Sequence, residues 1–88
     1  MPTISMFYGI VVRIYCDRSE HNPRHFHAYY QEHSALVSID TCEIINGELP
    51  AKQAKLVTAW AELHKDELIA DWQLAAQGEL PFKIQPLR

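Results

Sequence analysis

Apolar and polar residues alternate with a period of two in two neighbouring segments, residues 25–31 and 34–40. This period is typical of β-strands, in which successive side chains point to opposite faces of a sheet. The segments therefore predict a β-hairpin whose turn contains Glu32 and His33. The face that we expect to meet the core carries Phe26, Ala28, Tyr30, Ala35, Val37 and Ile39.

The opposite face of the predicted hairpin carries a different set of side chains. These are His25, His27, Tyr29, Leu36, Ser38 and Asp40. In this register His25 lies across from Asp40 on the neighbouring strand. A slip of the register by one residue would exchange the two faces, so the prediction depends on the turn.

Further strands are indicated on both sides of this hairpin. Residues 4–16 are rich in β-branched and aromatic side chains and predict one or two strands, with Gly9 as a bulge. Residues 17–24 are polar and charged and predict a loop. Residues 42–45 predict a short strand that ends at the Asn-Gly turn signal of residues 46–47.

The pattern changes to a helical period after Pro50, which suits a first helical turn. A stripe spaced by threes and fours continues to Gln77, and Gly78 follows as a left-handed stop. The stripe consists of Val57, Trp60, Ala61, His64, Leu68, Trp72 and Ala75. Because this helix is long for a small domain, we expect a bend or break at residues 64–66.

These elements predict an α+β fold in one domain, residues 1–88. A small antiparallel β-sheet of three to four strands is followed by a long C-terminal helical segment packed on one face. Phe82, Ile84 and Leu87 are expected to hold the final segment against the body.

Composition narrows the class of protein. The formal net charge of −3 argues against a strongly basic nucleic-acid binder. Cys16 and Cys42 are too few for a disulfide scaffold and are expected to be reduced. We find no signal-peptide pattern and no membrane-length apolar run, so a cytoplasmic protein without membrane contact is expected.

Candidate chemistry concentrates in the histidine-rich segment 21–27. His25 and His27 stand two residues apart on a predicted strand, so their rings project from the same side. Such a pair can ligate a divalent metal such as zinc, with His21, Asp40 or His64 as candidates for a further ligand, or act as a catalytic acid and base. Arg24 would then contact a phosphate. The alternative is a polar sheet face without chemistry.

Several segments together resemble a known family. They are residues 1–10, the His-Asn-Pro-x-His-Phe-His-Ala motif at 21–28, Asn-Gly-Glu-Leu-Pro at 46–50, Trp-Ala-Glu-Leu-His-x-Asp-Glu-Leu at 60–68 and Lys-Ile-Gln-Pro-Leu near the end. The chain is similar to the bacterial domain-of-unknown-function family 4160. On this resemblance the histidines fall on the family's motif, although Arg24 replaces an expected proline.

The resemblance implies a small prokaryotic protein from a toxin–antitoxin-like or regulatory gene pair. We therefore expect an interaction component that binds a protein partner, such as a cognate small protein. The second hypothesis is a histidine-dependent hydrolase acting on RNA, with or without a metal, in which His25, His27 and Arg24 are catalytic. Free sheet edges would also allow a homodimer by strand addition.

Overall fold

A computed structural model describes residues 3–15 and 23–87 of the chain. It contains one antiparallel sheet followed by two helices. The strands are β1 (Thr3–Phe7), β2 (Ile10–Arg13), β3 (His25–Tyr30), β4 (His33–Ser38) and β5 (Ile44–Glu48), and the helices are α1 (Ala51–Leu63) and α2 (Lys65–Ala76). The α+β class is confirmed. The predicted count of three to four strands is wrong, because the sheet has five.

Each strand pairs with the next one along the chain, in the order β1-β2-β3-β4-β5. The β1–β2 turn places Tyr8 at φ 49° and Gly9 at φ 78°. Two successive residues of positive φ form the tight turn that matches strand twist, and glycine reaches this region without strain. Gly9 therefore belongs to a turn, and its prediction as a bulge is wrong.

The β3–β4 hairpin keeps the predicted faces but not the predicted register. His25 pairs with Ser38, and Tyr30 pairs with His33. The turn is made by Gln31 and Glu32, with Gln31 at φ 53°. Because this register differs from the predicted one by two residues, every side chain stays on its face.

Strand β5 contains the Asn-Gly pair that was predicted to end a strand. Asn46 lies opposite Leu36, and Gly47 lies opposite Ala35 at φ 71°. A Cβ on Gly47 would overlap the carbonyl oxygen of Ser34. The pair thus bends an edge strand against its neighbour, and the chain reverses earlier, at residues 39–43.

The long helical segment divides at His64, within the range where a break was predicted. His64 has φ −119° and ψ 27°, outside helical geometry, and separates α1 from α2. The second helix ends before Gly78 at φ 81°, which confirms the predicted stop. Two helices therefore replace the single long one.

The core lies between the sheet and the helices. The Trp60 ring is fully buried, 5.3 Å from the Phe7 ring centroid and 5.7 Å from that of Phe26. Val57, Ala61, Leu68 and Ala75 of the predicted stripe are also buried. The buried core face of the central hairpin, predicted from alternation, consists of Phe26, Ala28, Ala35, Val37 and Ile39.

The C-terminal segment runs back along β1. Ile84 is buried, and its N–H donates to the carbonyl oxygen of Ile4 at 2.8 Å. The indole N–H of Trp60 donates to the carbonyl oxygen of Gln85 at 2.8 Å. Phe82 was expected to anchor this segment as well, but its side chain is 73% exposed.

None of the helices in the described part of the chain is long and apolar enough to cross a membrane.

Candidate functional site

The register of the sheet aligns two rows of side chains on the face opposite the core. The six central positions, which we call the outer face, are Val11, Arg13, His27, Tyr29, Ser34 and Leu36. Arg13 pairs with His27, which pairs with Leu36. Val11 pairs with Tyr29 in the second row. The position of Arg13 on this face follows from the pairing of β2 with β3, which could not be predicted from the sequence.

The two histidines of β3 lie side by side, as their spacing predicts. Their ring centroids are 5.2 Å apart. The His25 ring, however, is buried at 7% exposure and lies 5.1 Å from the ring of Trp72 in α2. Its Nδ1 is 3.0 Å from the carbonyl oxygen of Pro23, which can only accept, so Nδ1 carries a proton. The His25 ring is therefore packed inside the protein rather than exposed on the outer face.

His27 is half-buried within a group of aromatic rings. The Tyr15 ring meets it edge-on at 4.5 Å between centroids. The Tyr29 ring lies parallel to it at 6.3 Å, with an interplanar angle of 8°. Rings that contact one another in this way hold their rotamers, so this part of the outer face is preorganised.

The phenols of Tyr15 and Tyr29 share a hydrogen bond. Burial raises the pKa of Tyr29 to about 12, the bond with Tyr15 adds to the shift, and the charge of Arg13 opposes it. Tyr29 is therefore a neutral hydroxyl at physiological pH. It can donate a hydrogen bond but cannot serve as a base there.

Arg13 lies above Tyr29, with its guanidinium carbon 5.6 Å from the ring centroid. Its Nε donates to Thr3 Oγ1 at 3.2 Å. On the other side of the His27 and Tyr29 rows, towards β5, a shallow depression of about 230 Å³ is lined by His27, Tyr29, Ser34, Ala35, Leu36, Asn46 and Gly47.

Arg24 and Asp40, two of the predicted site residues, pair with each other. The Arg24 guanidinium forms an ion pair with the carboxylate of Asp40, which lies in the turn after β4. The hydrogen bond from Arg24 holds the pKa of Asp40 below its usual range. The position across from His25 belongs to Ser38. The prediction that Asp40 faces His25 is wrong, because the turn falls one residue earlier than expected.

A metal centre was the other prediction for these residues. Across residues 3–15 and 23–87, no three His, Cys, Asp or Glu side chains come together in a group that could hold a metal ion. His21, one of the predicted ligands, lies outside the described residues. His64 is held elsewhere, because its Nδ1 is 2.6 Å from Glu67 Oε1.

The chain was compared with known proteins. No curated protein and no solved structure matches it significantly. A family model described as a domain of unknown function, DUF4160, matches residues 9–73. The match runs from the β1–β2 turn into α2 and therefore includes the histidine strand and the whole outer face. The chain belongs to the domain-of-unknown-function family DUF4160.

Proposed function

We propose that this chain is an interaction component, one half of a toxin–antitoxin-like or regulatory pair, and that it binds a protein partner through the outer face. The observation that carries the proposal is the chemistry of this face. Its six positions hold tyrosine, histidine, arginine, serine and two aliphatic side chains but no lysine, aspartate or glutamate. Aromatic residues and arginine are enriched in protein interfaces, whereas lysine and acidic residues are depleted.

The geometry of the outer face supports the same proposal. Tyr29 and His27 are stacked, and Arg13 is held above Tyr29. Side chains that are already ordered lose little conformational entropy on binding, so each contact contributes more to affinity. A shallow depression beside these rings would receive one side chain of the partner.

A matched pair of substitutions tests the proposal. The tagged protein is expressed in cells in which it is native, and the proteins that it retains are quantified. Wild type is expected to retain one protein at equal stoichiometry. Leu36→Asp places a charge in the outer face and should abolish this complex, whereas Leu80→Asp, at a position 73% exposed outside the face, should leave it intact.

Thermal unfolding of both variants would establish that they fold. The proposal fails if wild type retains no stoichiometric protein, or if Leu36→Asp and Leu80→Asp retain it equally.

The alternative proposal is a histidine-dependent hydrolase acting on RNA. It is supported by the 5.2 Å separation of the His25 and His27 rings, since two adjacent imidazoles can divide acid and base roles. It is weakened by the burial of His25 against Trp72 and by the pairing of Arg24 with Asp40. Expression should then inhibit growth, and the His25/His27 double alanine variant should relieve the inhibition. Equal growth with either protein would exclude this alternative.

A further inference from the structure

Arg13 has a position and a set of contacts that differ from those of the other arginine beside the site. It occupies the centre of a row that crosses β1, β2 and β3, with Thr3 on one side and His27 on the other. Its Nε is bonded to Thr3, and its guanidinium rests above the Tyr29 ring. The side chain is therefore held in place, while its Nη atoms make no hydrogen bond within residues 3–15 and 23–87 and can receive a ligand.

The charge of Arg13 is not neutralised by the described residues. Within residues 3–15 and 23–87, the ion pairs are Arg24–Asp40, His33–Glu32 and His64–Glu67. Glu48 is the acidic residue in the neighbouring row, but it stands three strands away on β5, at roughly 14 Å from the spacing of strands. A guanidinium that is held in place and has no ion-pair partner among residues 3–15 and 23–87 attracts an anion, since the six positions of the outer face carry no other permanent charge.

The chemistry around Arg13 favours a planar oxyanion. The guanidinium fork matches a carboxylate with two parallel hydrogen bonds. Tyr15 and Tyr29 each carry one hydroxyl proton, and their mutual hydrogen bond uses one of the two. The other hydroxyl proton can therefore be donated to a ligand. Half-buried rings beside the guanidinium reduce access of water and strengthen such contacts.

We propose that Arg13 is the anchor of the outer face and that it receives an aspartate or glutamate carboxylate from an acidic segment of the protein partner. This inference rests on the proposed function and adds the chemistry of the partner. A nucleic acid fits less well, because it is held by many phosphate contacts, whereas the outer face has one permanent cation and the chain has a net charge of −3. The aliphatic side chains of Val11 and Leu36 beside Arg13 match the apolar part of a protein segment.

The test uses a displayed library of random twelve-residue peptides, selected on the wild-type protein. Selected peptides are expected to be enriched in aspartate or glutamate at one recurring position. Replacing that residue by its amide should weaken binding at least about tenfold, as for a charge pair whose partner is removed. Arg13→Gln should weaken binding by a similar factor, and Arg13→Lys should restore part of it.

Arg24→Gln is the matched control, because Arg24 is already paired with Asp40 and should not contribute. The inference is overturned if the peptides lack a recurring acid, if Arg13→Gln binds as tightly as wild type, or if a pentauridylate oligonucleotide binds more tightly than the peptides in an Arg13-dependent way. Peptides whose binding requires Leu36 but not Arg13 would disprove the role of Arg13 and leave the proposed function standing. A library without any binder sensitive to Leu36→Asp would also contradict the proposed function.

Discussion

Tyr29 and Tyr15 illustrate how the fold changes the chemistry of single residues. Replacing Tyr15 by phenylalanine removes the hydrogen bond that favours the neutral form of Tyr29. We expect the pKa of Tyr29 to fall from about 12 towards its ordinary value, without reaching it, because burial is the larger cause of the shift. The measurement is an absorbance titration of phenolate, assigned by NMR.

Tyr8→Phe, which removes a phenol exposed in the β1–β2 turn, serves as the control and should leave the titration of Tyr29 unchanged. An unaltered pKa of Tyr29 in Tyr15→Phe would show that the two phenols are not bonded in solution.

Asp71 is a buried carboxyl that accepts a hydrogen bond from the N–H of Phe82 at 2.9 Å. Burial raises its pKa, Glu67 adds to the shift, and the bond from Phe82 opposes it. A carboxyl whose pKa is higher in the folded protein than in the unfolded chain contributes its full stabilisation at pH values below the pKa of the unfolded chain. This stabilisation is lost as the pH rises through the pKa of the folded protein. Above the folded pKa the buried carboxylate of Asp71 therefore lowers the stability of the fold.

Asp71→Asn keeps an acceptor for Phe82 and removes that charge. We expect the variant to be at least as stable as wild type at neutral pH, with an advantage that shrinks as the pH is lowered into the acid range. Urea unfolding at a series of pH values measures this difference. A loss of more than about 1 kcal/mol at neutral pH, the contribution of one hydrogen bond, would contradict it.

At the level of residues, the sequence predicted local relations better than distant ones. The spacing of His25 and His27 was sufficient to place their rings together. The burial of His25 against Trp72, by contrast, joins residues in different elements, which periodicity cannot align. The same holds for Arg24 and Asp40, since their contact depends on where the β4 strand ends.

Strand β5 depends on Gly47, whose positive φ and close approach to Ser34 leave no room for a Cβ. We expect Gly47→Ala to lower the free energy of unfolding by about 1–3 kcal/mol, the cost of a residue held in a rarely populated backbone conformation. Chemical denaturation measures the loss. Gly78→Ala also places alanine at positive φ, at a helix end, and should cost about 1–2 kcal/mol, the penalty of the left-handed conformation alone.

A Gly47→Ala protein as stable as wild type would mean that β5 does not follow the bent path along β4 in solution.

Turn chemistry explains which elements were predicted and which were not. Alternation fixed the faces of the β3–β4 hairpin, because a register shift of two residues preserves them. It did not fix the turn, since Gln31 accepts a positive φ that is unusual for its side chain. Asn46 and Gly47 were predicted to end a strand with a turn, but the positive φ of Gly47 is instead used inside an irregular edge strand.

Both edges of the sheet are modified in ways that limit pairing with another chain. Ile84 donates to Ile4 on the β1 side, and β5 is bent at Gly47 with a register irregularity opposite residues 36–37. Bends and covering segments are common protections of edge strands. A homodimer by strand addition stays a prediction, and both of these features would oppose its formation.

The C-terminal segment connects sheet and helices at the scale of the whole molecule. Removing residues 81–88 deletes the buried Ile84 side chain and the hydrogen bonds made through Phe82, Ile84 and Gln85. Burial of one aliphatic side chain contributes about 1.5–3 kcal/mol, and each hydrogen bond adds about 1 kcal/mol. We expect a truncated protein to lose about 4–6 kcal/mol, a large part of the total stability of about 5–15 kcal/mol of a small domain.

Thermal unfolding followed by circular dichroism measures this loss. Phe82→Ala in the full chain is the control, because its exposed ring should contribute little. A truncated protein that melts at the temperature of wild type would show that this segment is not part of the cooperative unit.

The order of the strands in the sheet is the same as their order in the chain. During synthesis each strand can therefore pair as soon as it leaves the ribosome, with its neighbour already present. The apolar face of this growing sheet, however, stays exposed until Trp60 emerges and packs on it. Its burial is complete only after Ile84 has followed. A nascent chain stalled between these two residues would consequently be a client for chaperones that recognise unshielded apolar surface.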